Sequence, residues 1–381
     1  MRQRADLTPV LTNPILNEIW RNVVEGFFAK RKLNQMRLSR VQVAEFSTFA
    51  SADMSFSPGI NVLIGENSTG KSHMMKLLYT VLKSIEQSGT AKSVLNIKMK
   101  EKMAAVFRPD DGKVGRLVRR KVGRDTARVI VECTKAGTAK FSLSTLGNVK
   151  AEVSGWPDRT KSIFLPSREV LAMFENFIGT YQERLLSFDE TYFDVCVALD
   201  AAPLRGPRGV AASKLFRPIE KALGGRVSRD GKRFYVTLGG AKMEAHLVAE
   251  GLRKLASLAY LVANGSLQEN GVLFWDEPEA NLNPRLITRV AEFLQALAES
   301  GVQVFVATHD YLLSQKLSLA KEFNRTKAPM KFFSFTRTKE GVVAEEGETI
   351  SDLENNPILE EFAKHYEFEH QLLLDEQKRG G

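Results

Sequence analysis

The chain has 381 residues, 43% of them hydrophobic and 26% charged, an ordinary globular balance long enough for one large domain or two smaller ones. Its net charge of +9 tolerates a nucleic-acid partner without establishing one. The two cysteines, Cys133 and Cys196, exclude a disulfide scaffold and fit a reducing cytoplasm. No apolar run reaches the roughly 18 residues a membrane span needs, and no long apolar stretch of signal-peptide type follows the basic start Met1–Arg4. The expectation is a cytoplasmic protein without a membrane partner.

In chain order, Asn13-Pro14 reads as an N-cap with proline at the first helical position. Ile15, Leu16, Ile19, Trp20, Val23, Val24, Phe27 and Phe28 then share one face, and Lys30–Lys32 suit a helix C-terminus. Residues 1–35 are therefore expected to form an amphipathic helical extension, packed on the core or in an oligomer or partner contact. Strand-like patterning follows from Met36 to Ile64, broken by the turn Ser57-Pro58-Gly59.

The next segment, Gly65-Glu66-Asn67-Ser68-Thr69-Gly70-Lys71-Ser72, has the G-x-x-x-x-G-K-S form of a phosphate-cradling P-loop. The apolar run Ile60–Ile64 precedes it. Met74, Met75, Leu77, Leu78, Val81 and Leu82 recur after it at helical spacing. Strand, glycine-rich turn and helix in that order let backbone N–H groups and the helix dipole meet phosphates. Lys71 would neutralise the β- and γ-phosphates and Ser72 would hold Mg²⁺ through its hydroxyl. The chain reads as a nucleotide triphosphatase using ATP and Mg²⁺.

Downstream, a β lobe is expected over about residues 100–155, punctuated by glycines. It is rich in Arg116, Arg119, Arg120, Lys121, Arg124 and Arg128, which suit either a phosphate backbone or a charge-protected sheet edge. Ser162–Leu165 reads as a buried strand, and a mainly helical lobe is expected over about 168–265, with a strand at Arg233–Leu238 after the Asp230-Gly231 turn. Ala249-Glu250-Gly251 opens a helix whose stripe is Leu252, Leu255, Leu258, Ala259 and Val262. Gly251 there would let a phosphate approach bare N–H groups.

Val272–Trp275 is an apolar strand ending in Asp276-Glu277. Beside a P-loop, Asp276 is the natural Mg²⁺ partner and Glu277 can accept a proton from attacking water. Pro278-Glu279-Ala280-Asn281-Leu282 leads to Asn283, a candidate N-cap before Pro284. A second buried strand, Val302–Ala307, ends in Thr308-His309-Asp310 and puts His309 where it can hydrogen-bond the γ-phosphate. A C-terminal strand pair near Lys331–Phe335 and Gly341–Glu345, and a helix opened by Asn356-Pro357, complete residues 330–381.

The P-loop, Ala249-Glu250-Gly251, Asp276–Leu282 and Ala307–Asp310 occur in the order seen in ABC-type ATPases. The chain resembles the AAA-ATPase-like group related to OLD and RecF proteins, from about Met36 to the C-terminal helix. The resemblance implies an α/β P-loop NTPase of ABC-ATPase type, with an antiparallel β lobe and a helical signature lobe. It implies that Ala249, Glu250 and Gly251 touch the γ-phosphate bound by the other subunit of a homodimer or higher homo-oligomer. It also implies that Ala280-Asn281-Leu282 is the D-loop crossing that interface, that His309 is the switch histidine, and that the Q-loop falls at Phe164–Ser167. Ser167 there replaces the usual glutamine, with Arg168 or Glu169 as substitutes. Arg40 and Phe46 lie where adenine contacts are sought. The Ser-Gly-Gly signature of transporters, the long heptads of SMC proteins and the D-x-D pair of the OLD nuclease domain are absent.

ATPases that resemble this one accompany a separate effector, a nuclease or toxin, in prokaryotic defence against phage. The leading expectation is thus a regulatory ATP-dependent dimerisation switch in antiviral defence. A RecF-like DNA-repair ATPase is the alternative, and a transporter ATP-binding subunit the third reading.

Overall fold

The computed structural model describes residues 36–379 except 90–91, 121–122, 158–160, 207–208, 210–211, 213–218 and 222; side chains beyond Glu376 are also outside the described set. The amphipathic helix expected over residues 1–35 lies outside the described residues.

Six strands build the central sheet: β3 (Ile60–Gly65), β7 (Ser162–Leu165), β11 (Val272–Asp276), β12 (Gln303–Thr308), β13 (Met330–Thr338) and β14 (Gly341–Gly347), in the order β14-β13-β3-β12-β11-β7. All neighbours are parallel except the β13–β14 hairpin. Every residue of β3, β7 and β12 is buried, which is why these stretches read as continuous apolar runs. Phe164, Phe274 and Phe305 occupy one face. Tyr79 of α1 (Lys71–Ser88) joins them, 5.5 Å from Phe164, while Phe274 stacks on Phe305 at 5.0 Å. The other face carries Val62, Leu273, Trp275, Val304 and Val306 in the main core. α5 (Glu250–Ala263) and α6 (Pro284–Glu299) contribute Leu255, Leu258, Leu294 and Leu297 to that core. A parallel sheet buried on both faces places its loops, and hence its chemistry, at the strand C-termini.

A second, wholly antiparallel sheet has the order β2-β1-β4-β5-β6, from β1 (Leu38–Phe46), β2 (Phe49–Ser55), β4 (Thr126–Cys133), β5 (Gly137–Ser144) and β6 (Val149–Ser154). The β lobe is thus continuous with the first two strands. Residues expected to open it are instead the end of helix α2 (Lys92–Phe107), where Leu95, Met99, Met103 and Val106 recur at helical spacing and are buried. The segment 168–265 mixes α3 (Phe177–Gln182) and α4 (Glu190–Asp200) with a three-stranded sheet of β8 (Gly225–Asp230), β9 (Arg233–Leu238) and β10 (Ala241–Glu244), and ends in α5. Phe234 of β9 packs edge-on against Tyr260 of α5 at 4.9 Å. The chain continues through α7 (Tyr311–Glu322) and ends in α8 (Pro357–Arg379). No described helix is long and apolar enough to cross a membrane.

Candidate active site

The P-loop turns between β3 and α1. Gly70 sits at φ 91 as the N-cap of α1 and makes no side-chain cap bond. A Cβ at Gly70 would lie 2.5 Å from Thr48 Oγ1 and 2.9 Å from the Phe49 ring, so both the backbone angle and the space demand glycine. The N–H groups of the first helical turn are left for an anion. The Lys71 ammonium curls over the loop, donating to the carbonyls of Gly65 at 2.7 Å and Glu66 at 2.8 Å. Thr69 donates its hydroxyl to Glu66 O at 2.8 Å, and Arg337 on β13 donates to Ser68 O at 2.7 Å. Glu66, Asn67 and Ser68 are exposed at the apex.

Asp276 closes β11 beside this loop. Its Oδ1 accepts the Ser72 hydroxyl at 3.0 Å. Burial pushes the Asp276 carboxyl up to about 6, opposed by the Ser72 bond, and Glu277 raises it further. A hydroxyl and a half-buried carboxylate at hydrogen-bond distance are a hard-oxygen donor set, and desolvation outweighs Lys76 and Lys71, which favour the ionised form. The pair fits Mg²⁺, whose other ligands would come from nucleotide and water. Among the described residues, no cluster of three or more His, Cys, Asp or Glu side chains is disposed for an all-protein metal site.

Glu277 follows at φ 47, a left-handed conformation costly for a residue with a side chain. Its N–H bonds Ala307 O at 2.9 Å, tying it to the end of β12. Its Oε1 is 3.6 Å from His309 Nδ1. Glu279, buried two residues on, accepts the Thr308 hydroxyl at 2.7 Å and the His309 N–H at 3.2 Å. Burial raises its carboxyl, and these two bonds pull the other way. Asn283 caps α6 through Leu286 N at 3.0 Å, ahead of Pro284.

The structure therefore brings Gly65–Ser72, Asp276, Glu277 and His309 together. Ala249, Glu250 and Gly251 start α5, and that start meets the Asn281–Leu282 stretch: a Cβ on Gly251 would collide with the Leu282 side chain and lie 3.0 Å from Asn281 O. Asn281 itself sits at φ 63. Glu169 is committed elsewhere, its Oε1 2.8 Å from Arg253 Nε. Arg40 is held by Asp53 at 2.5–2.7 Å and Phe46 is fully buried, so neither is free for an adenine ring. Sequence reasoning missed Glu279, Lys254 and Arg337 as parts of the site. A charged pair, Arg253-Lys254, within an apolar helical stripe was the readable signal for the second.

The fold is that of a P-loop NTPase of ABC type. Residues 144–314 match a family model described as "AAA domain, putative AbiEii toxin, Type IV TA system", and residues 36–140 match one described as "AAA domain". Among curated proteins, the chain is similar to the DNA replication and repair protein RecF of Shigella dysenteriae, 39% identical over 46 residues, 12% of this chain and 13% of that one. It is also similar to RecF of Latilactobacillus sakei, 28% identical over 97 residues, 25% of this chain and 23% of that one. These matches thus span less than a quarter of either relative. Among solved structures, an Smc head bound to the C-terminal winged-helix domain of ScpA superposes with a TM-score of 0.52 at 13% identity, over 83% of this chain and 98% of that one. An Smc head domain with an extended coiled coil, bound to the C-terminal domain of ScpA derived from Pyrococcus furiosus, gives 0.51 at 11%, over 86% and 100%.

Proposed function

We propose that this protein binds MgATP and hydrolyses it to ADP and phosphate, and that two copies close on the nucleotide as a dimerisation switch. The observation that carries the reading is that Ser72 of the P-loop bonds Asp276, that Asp276 and Glu277 lie close enough to act on the Lys71 ammonium, and that His309 lies 3.6 Å from Glu277. Lys71 leaves its loop carbonyls for the β- and γ-phosphate oxygens, and the first-turn N–H groups of α1 hold the same phosphates. Ser72 and Asp276 would hold Mg²⁺, which neutralises phosphate charge when bound. Glu277 accepts a proton from the water that attacks the γ-phosphorus, and His309 orients that phosphate. Ala249–Gly251 and Asn281 complete the partner's site, so neither copy is competent alone.

We place this switch in a prokaryotic anti-phage system in which it governs a separate nuclease or toxin; the toxin–antitoxin description of the matching family model supports that setting. A RecF-like role at DNA fits at least as well. The RecF similarity supports it, as do the exposed Arg116 and Arg120, which line one cavity of about 550 Å³ with Arg119. Arg119 is partly spoken for, 3.8 Å from Glu45 and bonded to Glu340 O. Duplex DNA added to the ATPase assay separates the two. Stimulation that salt abolishes supports the DNA role, and indifference to DNA supports protein control.

A further inference from the structure

Lys254 is 4% exposed, yet it lies on a helix whose neighbouring residues Leu255, Ala256, Leu258 and Ala259 are apolar core. Burying an ammonium costs several kcal/mol unless partners compensate. Here the partners are two main-chain carbonyls of one short turn: Ala280 O at 2.9 Å and Glu277 O at 3.3 Å. The same turn is closed by Ala280 N donating to Glu277 O at 3.1 Å and Leu282 N donating to Glu279 O at 2.9 Å. A turn open to solvent leaves such carbonyls to water, whereas Pro278 and Glu279 of this one are buried. Here both converge on a single buried cation from another element. One residue earlier on the helix, Arg253 pairs with Glu169 at 2.8 Å and donates to Val248 O at 2.5 Å. That fastens the start of α5 to the segment after β7 as well.

We infer that Lys254 is a positioning residue for Glu277: its ammonium clamps the carbonyl of Glu277, which sits in a strained left-handed conformation, and so ties the carboxylate's position to that of α5. The inference rests on the reading of Glu277 as the base and of the α5 start as the element that meets the partner's nucleotide. Gly251 and Lys254 are three residues apart, within one helical turn. A shift of α5 on closure therefore moves the ammonium and the turn it grips. Glu279 carries the linkage onward, since its carboxylate holds Thr308 and His309 on β12. Occupancy of one site is in this way felt at the base of the other, through packed and hydrogen-bonded groups only.

The test uses the full chain and its Lys254→Met and Lys254→Arg variants, with a fluorescent ATP analogue for affinity and phosphate release for turnover. Lys254→Met is expected to bind the analogue within about twofold of wild type while kcat falls about 10–100-fold, because ångström-scale misplacement of a reacting group costs on that order. Lys254→Arg, which keeps a cationic donor, should recover part of the rate. In a Glu277→Gln background, Lys254→Met should add no further loss in single-turnover rate, since the two residues act as one unit. A simple fold staple would lower the melting temperature and leave kcat alone. Wild-type kcat in Lys254→Met, or an equal further loss in the Glu277→Gln background, overturns the proposal while the ATPase reading stands. Absence of turnover in the wild type removes the ATPase reading itself, and this inference with it.

Discussion

Replacing Asp276 with asparagine should stabilise the nucleotide-free protein at alkaline pH. Burial lifts the Asp276 carboxyl from an ordinary 3.8 to about 6 in the folded chain. A tenfold change in proton affinity corresponds to about 1.4 kcal/mol, so ionising this carboxyl costs the fold up to about 3 kcal/mol. Because the folded value lies above the unfolded one, the carboxyl's stabilising contribution is fully present below about pH 4 and is lost as pH rises through about 6. Asparagine is neutral throughout and can still accept the Ser72 hydroxyl. In differential scanning calorimetry without nucleotide or divalent metal, Asp276→Asn should melt roughly 3–6 °C above wild type at pH 8. The gap should shrink below about pH 6 and vanish near pH 4. Added MgATP should reverse the order at pH 8, because the wild type gains more from binding. A variant that melts below wild type at pH 8 without ligand, or a gap independent of pH, would refute the idea that burial disfavours the ionised Asp276 carboxylate.

Three further outcomes are expected. Lys71→Ala should lose at least about tenfold in ATP affinity, since a charge-assisted bond to phosphate contributes roughly 1.5–3 kcal/mol; isothermal calorimetry measures it, and unaltered affinity counts against the P-loop geometry. Gly251→Ala places a methyl against Leu282 and Asn281 O. It should cost about 1–3 kcal/mol and cut turnover while leaving analogue binding to the isolated chain intact; equal loss of both would show that the start of α5 has no separate role. In the DNA reading, Arg116→Glu with Arg120→Glu should abolish salt-sensitive duplex binding in fluorescence anisotropy, and unchanged binding would place DNA elsewhere.

Much of the site was legible because P-loop chemistry is local in sequence. The run Ile60–Ser72 encodes strand, turn and helix within one stretch, and Asp276-Glu277 and His309 fall at the ends of strands whose apolar runs announce them. The Asn283 cap could likewise be read from Asn283-Pro284. What the sequence hid was long-range. The β lobe pairs β4 with β1, residues about 90 apart, in a register no local pattern specifies. Helix α2 carries polar residues through most of its length and buries only five, so its period is faint. Glu169 offers the same carboxylate to a metal-bound water or to Arg253, and only the approach of α5 to the segment after β7 decides between them. Glu279 is buried by tertiary packing that no local pattern announces.

The proposed switch depends on Glu277. The most direct measurement is ATP turnover and solution mass, by light scattering with ATP present, of wild type and Glu277→Gln. Glu277→Gln is expected to bind ATP, lose at least about a hundredfold in turnover, and accumulate as a closed dimer while the wild type cycles back to monomer. Turnover equal to wild type, or a variant that remains monomeric with ATP bound, would contradict the proposed switch.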